Sequence, residues 1–223
     1  MHDDRVSSAP SFPSLSPLVI VHADDALVAI EKPAGLLSVP GRGADKADCA
    51  ATRVQAQFHD AQTVHRLDMA TSGLLLFARG APMQRVLSAM FEAREVVKHY
   101  EAVVEGLVEH DEGEIDLPLL TDWPQRPRQK VDRLQGKPSL TRYRVLQRDA
   151  ATRTTRLTLQ PLTGRTHQLR VHLLAIGHRI AGDALYAKGE MPTADRLMLH
   201  ATRLELRHPV TSQALTLVSA APF

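Results

Sequence analysis

The 223-residue chain carries one cysteine, Cys49, which excludes an intrachain disulfide and a zinc site built on cysteines. Hydrophobic residues make up 43% and aromatics 4%, so the chain can bury a core that aliphatic side chains must fill. The net charge of +2 hides an asymmetry: residues 1–120 hold 10 Lys/Arg against 18 Asp/Glu, residues 121–172 hold 12 against 3, and residues 173–223 hold 5 against 4. A basic middle segment of that density points to a polyanion, RNA or DNA, at one surface; solvated strand faces are the plain alternative. The opening MHDDRVSSAPSFPSLSPL has no apolar run of signal-peptide length, and no later stretch approaches a membrane span. The expectation is a cytoplasmic protein without membrane association, monomeric by default.

Residues 7–17, SSAPSFPSLSP, are rich in Ser and Pro and lack a period, so 1–17 reads as a flexible tail before one domain over 18–223. Leu18–His22 and Leu27–Lys32 read as strands around a turn at Ala23–Asp25. Pro33, Gly35, Pro40, Gly41 and Gly43 then mark a loop. Asp48 can cap a helix running to about His59. Gly73–Arg79, GLLLFAR, fits a buried strand. Met83–Arg94 has helical spacing, with Val86, Leu87, Met90 and Phe91 on one face. Strands follow at Val96–Gly106, Leu140–Gln147 and Thr154–Gln160. Thr166–Ile176 returns to helical spacing, and Leu199–Arg207 and Ala214–Val218 close the chain as strands. Strands outnumber helices and are mostly joined by turns, which predicts an α+β fold on a mixed, largely antiparallel sheet.

Three stretches have more polar specificity than a core needs. Val64–Gly73, VHRLDMATSG, sets His65, Arg66 and Asp68 just before a buried strand, where functional side chains often sit. On spacing alone, Asp68 is more often a turn or cap residue than a catalyst. Lys98 and Tyr100 share one face of a strand, where an amphipathic aromatic is the commoner meaning of Tyr100. In PLTGRTHQLRVH, Arg165, Leu169 and His172 follow at helical spacing. His167 and His172 are five apart with no acidic residue between them, a poor metal pair, so no metal is expected. Gly136–Lys137 lacks the frame of a phosphate loop.

HRLDMATSGLLL resembles the catalytic motif of the RluA family of pseudouridine synthases. EKPAGLLSVPG, KHYEAVVEG, GKPSLTRYRV, LTGRTHQLRVH and LMLHATRLELRHP are similar to its other motifs, in the same order. DLPLLTDWPQRPRQKV, from Asp116, looks like a segment particular to the A-type branch, which acts on both large-subunit rRNA and tRNA. The tail resembles nothing in the family.

The resemblance implies the pseudouridine synthase catalytic fold and an isomerase of RNA modification without a cofactor. Its partners would be a 23S rRNA hairpin loop and the anticodon stem-loop of tRNAs. It assigns Asp68 as the catalytic carboxylate, acting at C1′ or C2′ of the ribose, with Arg165 as its ionic partner. Tyr100 would lie against the flipped uracil and help remove its C5 proton, with Leu169 as the other wall. Arg66 would enter the stack vacated by the base. Arg126, Arg128, Lys130 and Lys137 would contact phosphates, although each is also an ordinary surface charge. The alternatives are a synthase acting on rRNA only, a non-catalytic RNA-binding protein on the same scaffold, and a small-molecule hydrolase.

Overall fold

The computed structural model describes residues 18–41, 43, 46–187 and 193–223. The expected tail, 1–17, lies outside the described residues. In chain order the elements are β1 (Val19–Ala23), β2 (Leu27–Lys32), α1 (Ala50–Gln55), β3 (Ala61–Thr63), β4 (Ser72–Arg79), α2 (Gly80–Glu92), β5 (Val97–Glu105) and β6 (Glu112–Asp116). They continue with β7 (Leu119–Thr121), β8 (Gln129–Val131), β9 (Leu140–Asp149), β10 (Thr154–Pro161), α3 (Gln168–Ala175), β11 (Leu199–Arg207) and β12 (Ala214–Val218).

The fold is built around β4. Its sequence, SGLLLFAR, is apolar without alternation, and seven of its eight residues are buried. Such a run belongs in a sheet covered on both faces. β4 lies inside a ten-stranded sheet ordered β1-β2-β4-β11-β5-β10-β9-β6, with β3 also paired to β4 and β12 to β11. Every ladder is antiparallel except β4–β11. β7 and β8 form a separate hairpin. The mixed, mainly antiparallel sheet agrees with the α+β expectation.

The helices depart from the sequence reading in instructive ways. Cys49, not Asp48, caps α1: its Sγ accepts from the Thr52 N–H at 3.4 Å, and Thr52 Oγ1 accepts from the Cys49 N–H at 3.1 Å. Asp48 is instead drawn to Arg53, with contacts of 2.7 and 2.6 Å, and α1 stops at Gln55 rather than near His59. In α2, Leu87 is buried and Met83, Met90 and Phe91 pack against the core, while Val86 faces solvent. α3 begins two residues later than expected because His167 has a left-handed backbone (φ +54°). Strands β3, β6, β7 and β8 were not expected. β6 is the charged sequence EGEID with only Ile115 buried, and ion pairs Arg142–Glu114 (2.6 Å) and Arg144–Glu112 (3.5 Å) cross to β9.

The parallel junction of β4 and β11 lies directly after the Asp68 loop. Ser72 pairs with His200 and Gly73 with Ala201. Gly73 has φ +108°, and a Cβ there would fall 2.3 Å from the Ala201 carbonyl oxygen. Fully buried His200 bridges Ser72 Oγ (2.7 Å) and Ser219 Oγ (2.9 Å), and Arg196 also donates to Ser72 Oγ. Burial, with Arg196 acting in the same direction, takes the His200 pKa down to about 4, so the bridge is neutral. Gly73→Ala is expected to destabilise the protein by at least about 2 kcal/mol through overpacking. Gly177→Ala has φ +87° but nothing within 4 Å of its Cβ, so it should cost only about 1 kcal/mol of backbone strain. Urea unfolding of the two variants checks the ranking.

Candidate active site

Asp68 sits in the loop between β3 and β4, and the loop after β2 grips it from both sides. Ser38 Oγ donates to the Leu67 carbonyl (2.7 Å) and accepts from the Leu67 N–H (3.0 Å). The Gly35 N–H donates to the Met69 carbonyl at 2.8 Å. Fully buried Lys32 donates to the carbonyls of Pro33 (2.8 Å), Leu36 (2.8 Å) and Met69 (3.1 Å). Burial pulls the Lys32 pKa down to about 7, Asp68 opposes that shift, and Arg196 adds to it. Three carbonyl acceptors require three N–H donors, so the ammonium is the form that fits the site. His65 anchors the start of the loop by accepting from the Leu76 N–H (2.9 Å) and stacking on Phe91, with centroids 4.4 Å apart.

The partner of Asp68 is Arg170. Its Nη1 lies 3.3 Å from Asp68 Oδ2, while its other donors form a buried fork on Asp183 at 2.7 Å each. Burial opposes the charge on Arg170, but the hydrogen bonds and charge of Asp183, followed by the charge of Asp68, hold its pKa above the ordinary arginine value. His167 Nε2 also approaches Oδ2, at 3.7 Å. Both neighbours therefore gather on one oxygen, and among the described residues Asp68 Oδ1 has no hydrogen-bond partner.

Asp68 opens into a cleft of about 950 Å³, whose lining also includes Tyr100, Leu169, Arg66, Arg94, Lys98 and Arg165. Tyr100 is nearly buried, and its hydroxyl has no hydrogen-bond partner among the described residues. Burial, and then the charge on Asp68, push its pKa well above the ordinary tyrosine value. Burial and nearby Arg94 lower the Lys98 pKa.

The expected Asp68–Arg165 pair is absent. Arg165 precedes α3 in an exposed loop, with its Nε 3.4 Å from the Pro138 carbonyl. The left-handed turn at His167 breaks the helical phase that had put Arg165 on one side with Leu169. Leu169 is buried at the cleft wall, and Arg66 is exposed at its edge. Of the expected phosphate contacts, Arg128 is engaged internally, donating to the Leu185 carbonyl (2.7 Å) and Gln125 Oε1 (2.8 Å). Arg126 is exposed and stacks on Trp123 at 3.3 Å, and Lys130 and Lys137 are exposed. His172 is buried between Thr141 Oγ1 and the Leu117 carbonyl, at 2.9 Å each. Sequence reasoning missed the site roles of Arg170, Asp183, Tyr186 and Lys32. Arg170 lay in the same motif as Arg165, whereas the segment holding Asp183 and Tyr186 has no period to mark it.

A carboxylate with one oxygen held by a buried cation and the other without a partner among the described residues, in a cleft lined by cations and a tyrosine, is suited to act on a neutral group within a polyanion. The chain belongs to the RNA pseudouridylate synthase family, whose model matches residues 26–175. It is 50% identical over 200 residues to the dual-specificity RNA pseudouridine synthase RluA of Pasteurella multocida, covering 89% of this chain and 91% of that one. Its identity to the Escherichia coli protein of the same name is 47% over 207 residues, covering 92% and 94%. Among solved structures, human RNA pseudouridylate synthase domain containing 1 matches with TM-score 0.77 at 28% identity, over 96% of this chain and 87% of that one. Human RNA pseudouridylate synthase domain containing 4 matches with TM-score 0.73 at 26% identity, over 92% and 88%.

Asp183→Asn removes the charge that pins Arg170, whose partner side chain is 1% exposed. It should destabilise the protein by about 3 kcal/mol, read as a lowered urea midpoint.

Proposed function

We propose that the protein isomerises one uridine in a 23S rRNA hairpin loop and one in the anticodon stem-loop of tRNAs to pseudouridine, with Asp68 as the catalytic carboxylate. The observation that carries this reading is the geometry of Asp68: it lines the cleft, Arg170 holds Oδ2, and Oδ1 has no hydrogen-bond partner among the described residues. The identity to the two dual-specificity synthases over about nine-tenths of both chains supports the two-substrate form.

The reaction breaks the N-glycosidic bond, turns the uracil and joins its C5 to the ribose; C5 then loses its proton and N1 gains one, so the formula is unchanged. A stacked base cannot turn, so it must first leave the stack, at a cost of a few kcal/mol. Asp68 then either adds to C1′ or takes the C2′ proton, and in both roles Arg170 holds the carboxylate in place through Oδ2. Tyr100 and Leu169 form the walls for the uracil. Burial and Asp68 keep the Tyr100 hydroxyl protonated, so its first role is to stack and donate a hydrogen bond rather than to act as a base. Arg66, exposed beside Asp68, would hold the opened stack. Arg94, Lys98 and Arg165 supply cations along the cleft, with Arg126, Lys130 and Lys137 as further phosphate contacts. Arg128 keeps an internal role in shaping the hairpin. No cofactor is required, since isomerisation removes no electrons and adds no group.

Purified protein should convert uridine to its C-linked isomer in both a minimal rRNA hairpin and a minimal anticodon stem-loop, read by mass spectrometry. Asp68→Asn should lose at least about a thousandfold in single-turnover rate. Its RNA affinity should stay within about threefold of wild type. Modification of the hairpin but never of the stem-loop would replace the dual reading by the rRNA-only one. An active Asp68→Asn would remove Asp68 from the chemistry.

A further inference from the structure

A line of polar groups runs from the β7–β8 hairpin to Asp68. The Gln129 N–H, in β8, donates to the Tyr186 hydroxyl oxygen at 2.9 Å. That hydroxyl lies 2.9 Å from His167 Nδ1. The opposite ring nitrogen, Nε2, lies 3.7 Å from Asp68 Oδ2. The Tyr186 and His167 rings meet edge to face, with centroids 5.7 Å apart, and the Arg170 guanidinium lies 5.1 Å above the Tyr186 ring.

Counting donors and acceptors selects one tautomer of His167. The Tyr186 oxygen already accepts from Gln129, and His167 Nδ1 is the acceptor in reach of its proton among the described residues. His167 then carries its own proton on Nε2, aimed at the carboxylate. The other tautomer would set a ring lone pair against Asp68 and strand the Tyr186 proton. Burial favours the neutral ring; Asp68 and Asp183 oppose it, and Arg170 supports it.

We propose that His167 is a positioning residue, tied through Tyr186 to the β7–β8 hairpin, whose Nε2–H closes onto Asp68 Oδ2 when RNA occupies the cleft. The inference rests on the reading of Asp68 as the catalytic carboxylate. At 3.7 Å the contact is too long for a hydrogen bond, and catalytic contacts of this kind shorten in the substrate complex. The hairpin is placed to report on RNA. Pro127 in its turn lines the cleft, and the same turn carries exposed Trp123 with Arg126 stacked on it. A donor on Oδ2 fixes the carboxylate plane and leaves Oδ1 to the sugar.

The backbone at 167 makes the role separable from a structural one. At φ +54°, Asn is tolerated better than Gln. Yet the Asn amide occupies the place of Nδ1, while the longer Gln amide reaches that of Nε2. Stability and positioning therefore rank the two substitutions in opposite order.

Single-turnover formation of pseudouridine in saturating rRNA hairpin, with thermal melting, is measured for full-length His167→Asn, His167→Gln, Tyr186→Phe and the His167→Asn/Tyr186→Phe double variant. His167→Asn should melt no lower than His167→Gln yet turn over at least about tenfold more slowly. Hairpin affinity should stay within about threefold of wild type for each. Tyr186→Phe should slow wild type but not slow His167→Asn further, because the two act as one unit. Equal rates for the Asn and Gln variants, losses that follow melting temperature, or fully multiplicative losses in the double variant would overturn the proposal. Asp68→Asn, run alongside, separates the two claims. If it is inactive while the Asn and Gln variants do not differ, the catalytic reading stands and the positioning role falls. If it is active, the reading itself fails and the inference with it.

Discussion

A carboxylate that lines a cleft acts reproducibly only if a partner fixes its orientation, and a buried cation is stable only if it too is paired. Arg170 meets both conditions. Its fork on Asp183 satisfies the guanidinium, and its remaining Nη1 reaches Asp68. The arrangement costs desolvation, so Asp183 is held in place by the N–H groups of Leu185 and Tyr186, at 3.2 and 3.3 Å. α3, the segment after it and the Asp68 loop are thus joined through one side chain.

The sheet supplies the rigidity this needs. Asp68 leaves its loop directly into β4, the most buried strand, and the loop is clamped at Leu67 and Met69 by Ser38, Gly35 and Lys32. The close β4–β11 approach at Gly73 lies five residues past Asp68. The same framework brings Tyr100, on β5, to the cleft, because β5 neighbours β11. Tyr100 and the Asp68 loop are therefore held by one sheet and line one cleft.

Much of this was legible in the sequence. The unalternating GLLLFAR run marked β4, and alternation in Leu157 and Leu159 marked β10, because burial imposes those patterns directly. The motifs around Asp68, Tyr100 and Leu169 located three residues that do share one cleft. What stayed hidden depended on backbone events without a periodic signature. A left-handed residue at His167 decided which of two arginines in GRTHQLR faces Asp68. Lys32 read as the polar end of a strand and proved fully buried, since three carbonyls converge on it only in the folded chain. β6 was obscured by its charges, which pair across the ladder rather than marking a loop.

The central claim is that Arg170, and not Arg165, sustains Asp68. The most direct measurement compares single-turnover rates of Arg170→Lys and Arg165→Met at saturating RNA. Lysine keeps the charge but cannot fork onto Asp183 while also reaching Asp68. Arg170→Lys should lose at least about tenfold and Arg165→Met should stay within about threefold of wild type. A slow Arg165→Met beside an unimpaired Arg170→Lys would contradict it.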